Sequence, residues 1–149
     1  MIKYIFIVII SLFLITCNLS EKEDIDKAQI TNILRDIENI FNGVDSVQNK
    51  HDKIISYYHT DYLHNSERLV SVGNFWSIRL NDYTNIKIED IRINLDDDFA
   101  FASFKLTFFD RDNKPNGPYP EPVFGILSYF WHDLTSWRIY GNQNSNNSL

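Results

Sequence analysis

The chain has 149 residues, a net charge of −6 and one cysteine. This length fits a single domain, and an acidic chain without a basic stripe is not expected to bind nucleic acid. A single cysteine excludes an intramolecular disulfide. Three Trp, eight Tyr and eleven Phe supply enough large side chains to fill a hydrophobic core.

The N-terminal segment MIKYIFIVIISLFLITC has the pattern of a secretory signal. Lys3 precedes an apolar run over residues 4–15, which is shorter than the ~20 residues needed to span a bilayer. The run ends in LITC at 14–17, and this tetrapeptide resembles the lipobox of bacterial lipoprotein signal peptides. The resemblance implies that a signal peptide of residues 1–16 is removed and that Cys17 is acylated, with chains such as palmitate.

Acylation at Cys17 would make the membrane a partner of this chain. Each buried methylene contributes roughly 0.8 kcal/mol, so two or three acyl chains hold a domain stably at a membrane surface. The resemblance thus implies a location in the bacterial cell envelope, on the periplasmic or cell-surface side. The alternative is an incidental cysteine in an uncleaved anchor.

Three helices are predicted after a polar tether at 17–24, within a folded domain at 25–143. The first helix is predicted to begin at Asp24 or Asp26 and to end at Gly43. A second is predicted at 47–58. The apolar positions with helical spacing in the first helix are Ile30, Ile33, Leu34, Ile37, Phe41 and Val44, and those of a third helix are Leu69, Val72, Trp76 and Leu80.

A long β-hairpin is predicted from Asn85 to Phe109. The alternation of apolar residues slips by one at Glu89-Asp90, which indicates a β-bulge, and 96–98 supplies an acidic turn. In the second strand the even positions form one apolar face, whereas the odd positions are mixed. The even positions are Ala100, Ala102, Phe104, Leu106 and Phe108, and the odd ones are Phe99, Phe101, Ser103, Lys105, Thr107 and Phe109.

Two further strands are predicted at 123–131 and 137–140. All four prolines of the chain lie in the preceding segment 110–122, which therefore reads as a surface loop with extended polyproline character. The tail after Tyr140 is polar and low in complexity. It is expected to fray, with 144–149 as a disordered end.

This order of elements resembles the SnoaL-like group of the nuclear transport factor 2-like superfamily. The matching pieces are Asn42-Gly43-Val44-Asp45 at the end of the first helix, YYHTDY at 57–62, the bulged hairpin with its acidic turn, and the closing strand from Trp137 to Tyr140. The resemblance implies an α+β cone, in which N-terminal helices pack on a strongly bent antiparallel sheet and a pocket lies at the open end. It implies no particular chemistry, because such folds serve many functions.

Asp61 is the candidate general base, flanked by Tyr58, His59, Tyr62 and His64 in a segment expected to border the pocket. A carboxylate in an apolar pocket would suit proton abstraction, with His59 and Tyr62 as its nearest polar partners. The alternative is a loop Asp that caps or turns the chain. The isomerase branch of the family places a Tyr on the first helix as an oxyanion partner, and this chain has none there.

Tyr58, Trp76, Tyr129 and Trp131 are the candidates for lining a ligand pocket, with core packing as the alternative. The spacing of the four histidines matches no zinc pattern, so no metal is expected. No cofactor is expected either, since the chain lacks a Gly-rich phosphate loop or a nucleophile elbow.

Together these features predict a lipid-anchored, non-catalytic domain that binds a small apolar ligand or a protein partner. One alternative is an acid/base enzyme of the isomerase or cyclase type with Asp61 as its base. Another is a toxin-neutralising or envelope assembly protein. Ligand binding predicts a hollow cone, whereas a protein partner predicts a filled cone with an exposed acidic or aromatic patch.

Overall fold

The computed structural model describes residues 2–59, 66–116 and 123–144, with side chains at 21–59, 72–116 and 125–142. Within these ranges three helices precede five strands, which confirms the predicted α+β class. The helices are α1 (Ile2–Asn42), α2 (Val47–Ile55) and α3 (Ser66–Asp82). The strands are β1 (Asn85–Asp96), β2 (Phe99–Phe109), β3 (Pro115–Asn116), β4 (Val123–His132) and β5 (Trp137–Asn144).

The strands form one antiparallel sheet in the order β1-β2-β4-β5, and β3 pairs with the end of β2. The predicted bulge is confirmed, because β1 has one residue more than β2 between the pairs Glu89–Lys105 and Arg92–Ser103. Asp90 in this bulge has a φ of 55°, a conformation that Asp adopts more readily than most residues.

A second bulge lies in β5. Tyr129 pairs with Gly141 and Phe130 pairs with Ile139, so Tyr140 is the extra residue between these pairs. Bulges bend a strand and increase its twist. Both outer strands, β1 and β5, therefore contain a bulge that bends the sheet.

The core lies between α1 and the inner face of the sheet. All five even positions of β2 are buried, as predicted. Phe41 of α1 packs edge-on against Phe108 of β2, with ring centroids 6.0 Å apart, and Phe130 of β4 is fully buried beside them in the same core. Burial of each such side chain stabilises the fold by roughly 1.5–3 kcal/mol.

Two predicted boundaries are wrong. The first helix does not begin at Asp24 or Asp26, since α1 already runs from Ile2. It continues through the polar segment 17–24, which is rich in good helix formers and contains Glu23, ion-paired to Lys27 at 2.6 Å. The last strand does not end at Tyr140, because β5 pairs with β4 as far as Asn144.

The other predicted starts and ends agree with the structure to within a few residues. α1 ends directly before Gly43, and α2 begins at Val47 after Ser46. The Ser46 hydroxyl accepts a hydrogen bond from the backbone N–H of Asn49 at 3.3 Å, which satisfies one of the free donors at the start of a helix.

Candidate functional site

The predicted catalytic residues are only partly within the described structure. Asp61 and Tyr62 lie outside the described residues. His59 is described and buried, directly after the Tyr57–Tyr58 segment that pairs with Ile139 of β5. α1 passes through Cys17, whose side chain is also outside the described part.

The four pocket candidates do not share one site. Tyr58 and Trp76 lie on the inner side of the sheet, only 4% and 5% exposed, and Trp76 Nε1 donates to Tyr58 Oη at 2.9 Å. Tyr129 and Trp131 lie on the opposite, outer side, because they pair with the odd positions of β2. Because successive side chains of β4 alternate between the two faces, the two β4 candidates lie away from the inner pair.

The inner pair belongs to a polar network that closes the core. Asn142 Nδ2 donates to Tyr58 Oη at 3.2 Å, and Ser128 Oγ donates to Asn142 Oδ1 at 2.6 Å. The network joins α3 through Trp76, the segment after α2 through Tyr58, and β4 and β5 through Ser128 and Asn142. The network therefore provides hydrogen bonds that join these elements in the core.

The inner face is filled by side chains over the described residues. Phe41 contacts both Phe108 and Trp76, with ring centroids 6.0 and 6.2 Å apart. Phe75 packs edge-on against Trp76 and Phe108, at 5.2 and 6.3 Å. These aromatic rings take the volume that a ligand would occupy in a hollow cone.

The outer face instead carries an exposed aromatic cluster, which we call the outer aromatic patch. Phe99, Phe101 and Tyr140 are 47%, 38% and 40% exposed, and each would be expected inside the protein on hydrophobicity alone. They adjoin one another through Tyr129 and Trp131. The patch thus consists of Phe99, Phe101, Tyr129, Trp131 and Tyr140.

Trp131 is the centre of the outer aromatic patch. Phe99 stacks on it with ring centroids 5.9 Å apart and an interplanar angle of 11°. His59 stacks on it at 4.7 Å and Tyr140 meets it edge-on at 5.8 Å. The Trp131 ring therefore packs against one ring from β2, one from β5 and one from the His59 segment.

A separate open cavity of about 370 Å³ lies where the end of α2 meets the β4–β5 turn. Its lining residues are Asp52, Ile55, Ser56, Tyr58, His59, Asp133 and Arg138. The Arg138 side chain crosses this region, since its Nη1 donates to the Ser56 carbonyl and its Nε lies 3.7 Å from Asp133 Oδ2. The lining of the cavity therefore combines the charged groups of Asp133 and Arg138 with apolar and aromatic surface from the α2 side.

Asp133 is held in its charged form by the turn itself. Its Oδ1 accepts hydrogen bonds from Thr135 Oγ1 at 2.6 Å and from the backbone N–H groups of Ser136 and Thr135 at 3.0 and 3.1 Å. The Thr135 hydroxyl, followed by these N–H groups, lowers the pKa of the Asp133 carboxyl from 3.8 to about 2. These bonds shape the turn, so Asp133 is suited to structure rather than to proton transfer.

The described residues contain no group of three or more His, Cys, Asp or Glu side chains placed to hold a metal ion. Within the same residues no helix combines the length and the apolar character needed to cross a bilayer.

The outer aromatic patch was only partly visible in the sequence. Phe99 and Phe101 stand at odd positions of β2 beside Ser103 and Lys105, so the sequence places them away from the core face. The sequence did not indicate that Tyr140 lies on the outer face. Tyr140 is the extra residue of the β5 bulge, and the alternation between the two faces shifts at this point. Arg138 was missed as well, since its role depends on a contact with the distant Ser56.

Comparison with protein-family models, with curated proteins and with solved structures gives no match to the chain.

Proposed function

We propose that this chain is a lipid-anchored protein of a bacterial envelope whose α+β domain binds a protein partner through the outer aromatic patch, without catalysing a reaction. The observation that carries this proposal is the exposure of Phe99, Phe101 and Tyr140 around Trp131 on one face of the sheet. Contiguous exposed aromatic surface of this kind is typical of interaction sites, where large aromatic side chains supply most of the binding energy.

A protein partner fits this patch better than a sugar or a nucleobase. Ligands that stack on aromatic residues need free ring faces, whereas the Trp131 ring already packs against Phe99 and His59. The edges of packed rings remain available, and edges pack well against the apolar side chains of another protein. Among the described residues, aromatic side chains pack on the inner face, which favours an envelope assembly or toxin-neutralising role over the binding of a small apolar ligand.

The membrane part of the proposal depends on Cys17 and on the course of α1. The helix is unbroken from Cys17 to Asp26, and Asp26 Oδ1 accepts a hydrogen bond from Trp137 Nε1 of the sheet at 3.0 Å. Nine helical residues span about 14 Å. An acylated Cys17 would therefore hold the domain a short, defined distance above the lipid rather than on a flexible tether.

Mass spectrometry of the mature N-terminus tests the anchor. We expect a chain that begins at Cys17 and carries acyl groups, and a Cys17→Ser variant that no longer partitions with membranes. An unacylated chain that still begins at Met1 would refute this part of the proposal.

The patch is tested by comparing a double variant, Phe99→Ser with Phe101→Ser, against Ile78→Ser. Ile78 is a suitable control because it is 50% exposed but lies on α3. Membranes of the source bacterium would be solubilised in mild detergent and separated by size. We expect the wild type and Ile78→Ser to elute in a larger complex and the double variant to elute alone. Co-elution of the double variant with the same complex would contradict a partner site on this face.

A further inference from the structure

β1 is an outer strand of the sheet, and helix α1 covers the first part of its open edge. The Ile86 backbone N–H donates to Asn42 Oδ1 at 2.8 Å, and Asn42 Nδ2 donates to the Ile86 carbonyl at 3.0 Å. The amide side chain thus makes the two hydrogen bonds that a neighbouring strand would make.

Side chains of α1 also form hydrogen bonds with the next outward-pointing residue of β1, Ile88. The Ile88 N–H donates to Glu38 Oε1 at 3.2 Å, and Arg35 Nη1 donates to the Ile88 carbonyl at 2.5 Å. Arg35 and Glu38 also pair with each other at 2.6 Å. Exposed strand edges tend to pair with other chains, so these α1 side chains block pairing as far as Ile88.

Beyond the bulge the edge is bare. A bulge of one residue shifts the alternation, so the backbone groups that point away from β2 belong to Ile93 and Leu95 rather than to even-numbered residues. Among the described residues, none donates a hydrogen bond to these groups or accepts one from them on the open side. The segment from 91 to 96 is therefore an unpaired template for one further strand.

We propose that a second copy of this chain pairs antiparallel with this segment, so that β1 meets β1 across a two-fold axis at Asn94. In this register Ile93 of each copy exchanges backbone hydrogen bonds with Leu95 of the other copy. The two sheets then become one continuous sheet. The proposal concerns self-association and does not rest on the function proposed above.

Charge complementarity favours a second copy as the occupant. Only registers that place outward-pointing residues opposite each other allow hydrogen bonding. The register centred on Asn94 puts Arg92 of each copy opposite Asp96 of the other, on the same face. Both side chains are exposed, and in the described structure neither takes part in an ion pair. Cross-strand pairs of opposite charge stabilise antiparallel sheets, and the symmetry supplies this pair twice.

The inner-face side chains of the segment from 91 to 96 also favour pairing with a second copy. Ile93 and Leu95 are only half-buried, although they point toward the core face. Pairing would place Ile93 of one copy opposite Leu95 of the other, so each would cover the exposed part of its counterpart. The continuous sheet would carry two outer aromatic patches on one side.

Cysteine cross-linking of the full chain tests the register. Asn94 would face Asn94 of the second copy as a non-hydrogen-bonded pair, with Cα atoms about 4.5 Å apart, which a disulfide can span. We expect Asn94→Cys to form a covalent dimer on mild oxidation. Arg92→Cys is the matched control, because two copies of it would be separated by about 13 Å and should cross-link on the order of tenfold more slowly.

Mixtures of two cysteine variants test the proposed register more specifically. Arg92→Cys and Asp96→Cys chains should cross-link with each other but not with themselves, and the wild type reports any background from Cys17. Cross-linking of Asn94→Cys at the rate of Arg92→Cys or of the wild type would overturn the proposal.

Sedimentation of the full chain in detergent gives a second readout that needs no cysteine. We expect a concentration-dependent dimer that is weakened by Arg92→Asp or Asp96→Arg alone and restored in the double variant. A chain that stays monomeric at every concentration, or single variants that associate as well as the wild type, would refute β1 pairing.

Discussion

At the scale of single residues, Tyr58 shows how a buried polar group can tie distant parts of the chain together. Its hydroxyl accepts hydrogen bonds from Trp76 of α3 and from Asn142 of β5. A buried donor that loses its acceptor costs more free energy than the hydrogen bond itself contributes. Tyr58 therefore links α3 and β5 within the core, while it also contributes to the lining of the cavity beside α2.

We predict that Tyr58→Phe lowers the free energy of unfolding by about 1–3 kcal/mol. The change removes an acceptor oxygen and leaves the Trp76 indole N–H without it. Tyr57→Phe is the control, since Tyr57 Oη donates to Asp36 at the exposed surface at 3.0 Å, and its loss should cost about 0.5 kcal/mol or less. Urea unfolding of both variants measures the difference, and equal losses would show that the inner network does not stabilise the core.

Asp133 provides a pH-dependent prediction at the same scale. Its pKa in the folded state is about 2, below the usual 3.8, so the charged carboxylate stabilises the fold above pH 3.8. This contribution is lost as the pH falls toward 2. We expect the melting temperature of the wild type to approach that of Asp133→Asn over this interval. Asp112→Asn is the control, and a gap that stays constant from pH 5 to about 2 would contradict the assignment.

At the scale of elements, the sequence predicts the hairpin well because its signal is local. The slip in alternation at Glu89-Asp90 identifies the bulge, and the even positions of β2 identify the core face. By contrast, the start of α1 and the end of β5 depend on features that hydrophobic periodicity does not report. Polar helix formers extend α1, and pairing with β4 extends β5 through Gly141 and Asn142, which show no alternation.

Hydrophobic periodicity alone also does not determine which face of the sheet an aromatic side chain occupies. Alternation predicts that Tyr129 and Trp131 share a face of β4, but aromatic residues stand on both faces of the sheet. Only the register with β2 places them beside Phe99 and Phe101, outside the core. The sequence therefore predicted Tyr129 and Trp131 as pocket candidates, whereas the structure places both on the outer face of the sheet.

The hydrogen bonds between Asn42 and the edge of β1 lead to a prediction about this strand. Asn42→Ala removes both hydrogen bonds to Ile86, and we expect a loss of about 1–2 kcal/mol in the free energy of unfolding together with faster hydrogen exchange of the Ile86 amide. Asn39→Ala, an exposed position of the same helix, is the control. An unchanged exchange rate at Ile86 would show that Asn42 does not protect this edge.

At the scale of the whole molecule, the two faces of the sheet differ in exposure. Among the described residues, α1 and aromatic side chains pack on the inner face, whereas the outer face exposes Phe99, Phe101 and Tyr140. α1 connects this arrangement to Cys17, so an anchored chain would present the patch at a fixed position near the membrane. The function is thus proposed to reside on the surface of the fold rather than in its interior.

The most direct test of this account is photocross-linking from the outer face in cells of the source organism. A benzoylphenylalanine at Phe101 should give one discrete cross-linked product with a partner protein, because this side chain lies in the patch and is accessible. The same group at Ile78 on α3 should give none. Products of equal yield from both positions, or a product only from Ile78, would contradict a binding site on the outer aromatic patch.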